Sequence, residues 1–210
     1  MKFLLLSKKI TEYTKKDIDR GFCPDEIYQI CCCLRTCFCL SYAIRKYNDF
    51  YIYFIRNNIC VKFIGSQLRF LGPDERSQAL LLQKALQKRE LRINMNIWRE
   101  STPGIYLKRF SDFNSFFKEL WELNDKNIYV IDDKERSVID DQKLHVIDKQ
   151  MLDKEGIYIL SLYDMSTSKF LLNHSLYENI NIKQLILNNI KKIEDQILMI
   201  NYWIDNKNMK

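Results

Sequence analysis

The chain has 210 residues but only five glycines and three prolines, which excludes the G-x-G-x-x-G and G-x-x-x-x-G-K-[ST] phosphate loops and any linker-rich multidomain design. Hydrophobic residues are 47% and charged residues 29%, enough for a sizeable core and against a disordered chain. Net charge is +6, unevenly placed: residues 1–109 hold 20 Lys/Arg against 10 Asp/Glu, and residues 110–210 hold 13 against 17. A basic first half suggests an anionic partner, nucleic acid being the commonest; the plainer reading is compositional drift in a Lys/Asn/Ile-rich chain.

Residues 2–6 read as an opening strand, an apolar run too short for a signal-peptide core. Near Pro24 a helix begins, with Asp25 and Glu26 at the positive end of its dipole and Ile27, Ile30, Leu34, Phe38 and Ser41 at helical spacing. The apolar stretch from Ile27 to Ile44 contains Arg35 and is short of a membrane span, so a cytoplasmic protein is expected. Five of the seven cysteines lie in this helix or just after it (Cys31, Cys32, Cys33, Cys37, Cys39). They read as small buried core residues, and no metal site is expected. Residues 50–55 and 59–64 predict two strands around an Asn57-Asn58 turn. Gly72-Pro73-Asp74-Glu75 opens a second helix to about Lys88, and Ser101-Thr102-Pro103-Gly104 is a loop before a short strand, Ile105 to Leu107. Ser111 is placed to cap a helix running to Leu123, and further strands are expected at 127–131, 144–147 and 157–162. From about Leu176 the chain lacks Gly and Pro. Ile182, Ile186, Ile190, Ile193, Ile197, Ile200 and Ile204 step by three or four, predicting one long helix, either docked on the core or pairing two chains. His145 and His174 read as ordinary partly buried or surface residues. The doublets Asp132-Asp133 and Asp140-Asp141 read as solvated turns. Strands alternating with helices indicate an α/β sandwich with a mainly parallel sheet, in which ligands tend to bind beyond the carboxyl ends of strands.

Three segments carry a more specific signal: Gly65-Ser66-Gln67-Leu68 running to Pro73-Asp74-Glu75-Arg76, then Ser101-Thr102-Pro103-Gly104-Ile105-Tyr106, and upstream Leu40-Ser41-x-x-Ile44-Arg45. Their order and spacing resemble the archaeal tRNA pseudouridine-54 N1-methyltransferases (TrmY-like) of the SPOUT class, with family patterns G-S-E-L…P-D-E-R, S-T-P-G-I-Y and L-S-H-x-I-R. The resemblance implies a single SPOUT-type α/β domain over residues 1–210, a C-terminal trefoil knot, and a long C-terminal helix, with a helical extension from about residue 190. It implies a homodimer that uses S-adenosylmethionine to methylate N1 of pseudouridine in tRNA, without membrane or metal. It also places Asp74 as base and Arg76 as its orienting partner, the alternative being that Asp74 only serves the opening turn of the helix, and Arg45, Arg69, Ser101, Thr102, Lys108 and Arg109 against RNA. Leu160, Leu172, Asn173, Leu176 and Lys183 fall at the cofactor loops.

The chain also departs from the family. Where the family has R-[LM]-D-x-L-C-R-C, this chain has Glu26, Tyr28 and Cys32 at the Arg, Asp and second Arg positions, and Tyr42 replaces the His of L-S-H. Neither candidate cofactor strand, Leu144 to Asp148 or Ile157 to Asp164, carries the family's Gly-Asp. The alternative to an enzyme is therefore a non-catalytic RNA-binding or dimeric interaction protein whose cofactor pocket is filled by side chains such as Phe170, His174 or Tyr163.

Overall fold

The computed structural model describes residues 1–90, 97–122, 127–132, 145–146, 152–162, 165–174, 182–187 and 190–207. In chain order the strands are β1 (Lys2–Ser7), β2 (Asp49–Phe54), β3 (Ile59–Ile64), β4 (Arg99–Thr102), β5 (Ile105–Arg109), β6 (Ile128–Asp132), β7 (His145–Val146), β8 (Ile157–Ser161) and β9 (Ile182–Ile186). The helices are α1 (Lys15–Asp19), α2 (Asp25–Phe38), α3 (Glu75–Gln87), α4 (Phe113–Glu122), α5 (Thr167–Leu172) and α6 (Ile193–Lys207).

All nine strands form one sheet in the order β4-β5-β3-β2-β1-β8-β6-β9-β7. β1 sits at its centre. Phe3 and Leu5 point to one face and Leu4 and Leu6 to the other, all without exposed surface. Such an unbroken apolar run marks a strand covered on both faces. Pairing is parallel from β2 through β1, β8, β6 and β9 to β7. It is antiparallel from β2 through β3 and β5 to β4. The sheet is thus mixed, with short turns joining the antiparallel neighbours β2 to β3 and β4 to β5. Asn58, in the left-handed region at φ 50°, closes β2 onto β3, and a turn this short permits only antiparallel neighbours.

Helices cover both faces. α2, α3 and α6 pack with Ile18 of α1 over the side that carries Phe3, Phe50, Ile52, Phe63 and Leu160. α4 and α5 pack over the side that carries Leu4, Tyr53, Val130 and Ile159. In α2 the apolar positions Ile27, Ile30, Leu34 and Phe38 are buried as their spacing predicts, and Cys31, Cys33 and Cys37 fill the spaces between them. Full burial pushes the Cys33 and Cys37 thiols well above the usual range, so they pack as small neutral hydrophobes. No helix among the described residues is long and apolar enough to cross a membrane.

Three expectations change. The isoleucine seam is not one helix: Ile182 and Ile186 belong to β9, inserted between β6 and β7, while Ile193 to Ile204 belong to α6. Over a short Ile-rich run the two periods are indistinguishable, and pairing with β6 decides for a strand. Residues 99–102 are a strand, so the Ser-Thr-Pro-Gly loop is a tight β4–β5 turn. Asp112 caps α4 instead of Ser111, its carboxylate accepting from the Ser115 amide at 2.7 Å. The doublet at 140–141, Asp133, Tyr163 and Leu176 lie outside the described residues.

One polar joint binds α2, α6 and the start of β2. Asn48 and Asn201 are fully buried. The Asn48 amide donates to the Cys37 carbonyl at 2.7 Å and to Asn201 Oδ1 at 3.0 Å, and Asn201 Nδ2 donates to the Thr36 carbonyl at 3.1 Å. Asn201→Ala leaves a buried donor and a buried carbonyl unmet. It should lower unfolding free energy in urea by about 2 kcal/mol, whereas truncation of the exposed Tyr202 one residue on should leave it within about 0.5 kcal/mol.

Candidate nucleic-acid interface

The three segments that carry the family signature converge at one end of the sheet, beyond the amino ends of β1 and β2. The first loop, residues 39–48, leaves α2 and turns back. Cys39 bridges Ile44, the Leu40 amide donates to the Ala43 carbonyl at 2.8 Å, and the Arg45 amide donates to the Phe38 carbonyl at 2.7 Å. The second, residues 65–74, leaves β3 and enters α3. The third is the Pro103-Gly104 turn between β4 and β5.

Glycines let these backbones touch. A Cβ on Gly65 would lie 2.3 Å from the Asn48 carbonyl oxygen and 2.5 Å from that of Arg45. The Gly65 amide donates to the Asn48 carbonyl at 3.0 Å. Gly104 has φ +84°, and a Cβ there would lie 2.6 Å from the Leu68 amide nitrogen. The Ile64 amide donates to the Gly104 carbonyl at 2.8 Å, and Tyr106 donates to Gln67 Oε1 at 2.6 Å. Pro followed by Gly at positive φ is the composition of a type II turn. At the far end of the second loop, Gln78 and the Cys39 thiol both reach the Gly72 carbonyl, at 2.9 and 3.9 Å.

The predicted site residues divide. Asp74 is the N-cap of α3: its carboxylate accepts from the Ser77 amide at 2.8 Å, and that hydrogen bond holds it below the usual carboxylate range. This geometry serves the helix and weakens Asp74 as a base. Arg76 does not orient it; its guanidinium pairs with Asp19 at 2.7 Å. Arg45 is held between Asp205 at 2.6 Å and the Tyr47 hydroxyl at 2.5 Å, an internal tie from the first loop to α6. Lys108 is 5% exposed. Its ammonium meets Glu119 at 2.5 Å beneath Trp98, whose indole donates to the same carboxylate at 2.7 Å. Both cations are thus engaged inside the protein instead of facing a phosphate.

Arg109 lies with Lys108 at the far end of β5, roughly 13 Å along the strand from the turn. Arg69 is exposed on the second loop. Ser101 and Thr102 are 9% and 8% exposed, and their enclosed hydroxyls lack a partner among the described residues.

Of the residues expected at the cofactor loops, Leu160, Asn173 and Lys183 lie in separate elements among the described residues. Leu160 is in the core at 1% exposure. Asn173 is exposed at the end of α5. Lys183 is near the amino end of β9, donating to Asn127 at 3.0 Å. Nothing is described of the Leu172 side chain or of Leu176. Phe170 and His174 meet at a tilt, ring centres 4.3 Å apart, and each meets Phe113 of α4 edge-on at 4.9 and 5.1 Å. They pack against the helix layer instead of plugging a pocket between the loops.

Sequence reasoning missed Asp49, the first residue of β2, which accepts from the Gly65 amide at 3.3 Å. Burial raises the proton affinity of its carboxyl above the usual Asp range. Its only sequence signal is an acid heading an apolar strand.

Asp74→Ala should cost about 1 kcal/mol in urea denaturation. The capping carboxylates Asp17, Asp74 and Asp112 all have lowered proton affinity, so their stabilisation is complete above the unfolded Asp value and fades as pH falls below about 4. Thermal melts of the triple Asn variant should therefore show a smaller loss between pH 6 and about pH 3 than wild type. Gly104→Ala meets both the Leu68 backbone and an unfavourable φ and should cost about 2 kcal/mol or more, read by the same melts.

Comparison with known proteins agrees with this convergence. A family model described as "Putative SAM-dependent RNA methyltransferase" matches residues 3–149. The tRNA (pseudouridine(54)-N(1))-methyltransferase of Methanocaldococcus jannaschii is 39% identical over 105 residues, 48% of this chain and 50% of that protein. The corresponding enzyme of Haloarcula marismortui is 44% identical over 81 residues, 38% of this chain and 39% of that protein. The chain thus matches about half the length, or less, of these curated relatives. A solved structure of full-length spTrm10 bound to SAH is 12% identical with a TM-score of 0.40, covering 98% of this chain and 89% of that one, a likeness too weak to bear on function. With the family model spanning residues 3–149 of its 210, and the three signature loops inside that span, the chain belongs to the family of SAM-dependent RNA methyltransferases that the model describes.

Proposed function

We propose that this protein is an S-adenosylmethionine-dependent RNA methyltransferase acting on N1 of pseudouridine in tRNA, in the cytoplasm and as a homodimer. The observation that carries the reading is the convergence of the three signature loops on one another through Gly65, Gly72 and Gly104. The curated relatives that the chain matches over part of its length are named for that reaction.

The fit of a cofactor rests on a cavity of about 480 Å³ at the carboxyl ends of β1 and β8, lined by Ser7, Lys8, Thr11, Asp25, Glu26 and Leu162. The volume suits a nucleoside-sized ligand. Asp25 and Glu26 match its cationic end, and the Thr11 hydroxyl is enclosed without a partner among the described residues. Those residues would hold the cofactor, which when bound supplies an electrophilic methyl group on sulfur. The chain's own part is to hold the target base and accept its proton. The unused Ser101 and Thr102 hydroxyls suit polar atoms of a base, and Asp49 keeps more proton affinity than Asp74 for the acceptor role.

The cavity and the loops lie at opposite ends of a strand about 20 Å long, which gives a second copy a role: its loops would serve its partner's cavity. A single domain with a C-terminal knot accords with β9 lying between the earlier strands β6 and β7.

Calorimetric titration with S-adenosylmethionine and S-adenosylhomocysteine tests the reading first. Micromolar binding, followed by methylated pseudouridine in digests of treated tRNA, is the expected result; no heat from folded protein at two temperatures would overturn it. In that assay Asp49→Asn should lower turnover at least tenfold, whereas Asp74→Asn should leave it within about threefold.

A further inference from the structure

The first and second signature loops present something the reaction itself does not require. Tyr42, at the tip of the first, is fully exposed, and Phe70, on the second, is 65% exposed. Both rings stand in water on backbones that are pinned at each end. The first loop is closed by the Cys39–Ile44 bridge. The second is seated on it at Gly65, against the Arg45 and Asn48 carbonyls, and at Gly72, against Cys39. The two tips therefore rise from one contiguous surface. Rings left in water on ordered loops gain nothing for folding.

The charge of this surface is one-sided. Residues 39–48 and 65–74 contain a single acid, Asp74, whose carboxylate is taken up by the Ser77 amide at the start of α3. They contain three cations: Arg45 is tied to Asp205, while Lys46 and Arg69 are exposed. Neither of these two has an ion-pair partner among the described residues. Ser66 and Gln67 add exposed hydrogen-bonding groups. Aromatic faces interleaved with unpaired cations, the one loop acid being engaged in a helix cap, suit unpaired nucleotides, whose bases stack on rings while their phosphates meet the cations. A purely apolar protein partner would leave Lys46 and Arg69 uncompensated.

We propose that Tyr42 and Phe70 form a stacking platform for unpaired RNA bases, with Lys46 and Arg69 holding the flanking phosphates. The proposal deepens the RNA methyltransferase reading, on which it rests for the class of partner. Tyr42 acts through its ring and not its hydroxyl.

The test is fluorescence anisotropy of a labelled single-stranded oligouridylate, with a blunt RNA duplex of matched length as control. Tyr42→Ala and Phe70→Ala should each weaken oligouridylate binding about tenfold and Tyr42→Phe should bind as wild type. Duplex binding should change by less than about twofold in all three, since paired bases offer no free face. Arg69→Ala should reduce the slope of log affinity against log salt by about one. Since both rings are exposed, the variants should melt as wild type. Wild-type affinity in both Ala variants would overturn the proposal. So would sedimentation showing that the substitutions dissociate a dimer, which would assign the surface to a second copy. The cofactor titration runs on the same proteins. Loss of RNA affinity with cofactor heat intact supports the platform within an enzyme. The same loss in a protein giving no cofactor heat supports the platform while sinking the methyltransferase reading.

Discussion

Asn48 is the residue on which the signature end of the molecule depends. Its side chain joins the last turn of α2 to Asn201 of α6, and its carbonyl receives the Gly65 amide at the root of the second loop. A buried carboxamide is costly unless its partners are in place. The joint therefore couples three elements far apart in sequence, and the loops are positioned only when the helices are docked. Arg45 and Tyr47 repeat the coupling at the surface by gripping Asp205 near the end of α6. Residues that resemble a phosphate-binding cation in the sequence are spent on the frame.

The same division of labour separates the two helix layers. On one face α2, α3 and α6 enclose an aliphatic and cysteine-rich core whose thiols burial keeps neutral. On the other, Phe116 of α4 stacks on Tyr53 and Phe113 meets Tyr53 and Phe170 edge-on, and Lys108, Trp98 and Glu119 close the edge as an internal network. A charged pair kept this close and half-buried is retained for geometry more than for stability. Among the described residues, the signature end leaves Lys46 and Arg69 without an ion-pair partner, the rings of Tyr42 and Phe70 in water, and two hydroxyls unpartnered beneath the Gly104 turn.

This arrangement gives physical meaning to the departures from the family pattern. Tyr42, where the pattern has His, removes a titratable ring and leaves a larger stacking face in the same exposed place. Tyr28, half exposed on α2, and the buried Cys32 stand at positions where the family pattern is charged; the Arg35 guanidinium lies 3.4 Å from the Cys32 sulfur.

Much of the fold was legible in the sequence because it is local. The apolar run of β1, the helical spacing from Ile27 to Phe38, the Asn-Asn turn and the Pro-Asp-Glu helix start are each set by side-chain sterics and periodicity within a few residues. Two of the three signature segments were legible too, because each needs a particular glycine and proline: Gly65, Gly72 and Pro73 in one, Pro103 and Gly104 in the other. Only the tertiary structure decided that Ile182 to Ile186 is a strand, since sheet pairing outweighs a spacing that either element satisfies. It alone decided which cations are free. A sequence lists charges without distances, and Arg45 finds its partner 160 residues away.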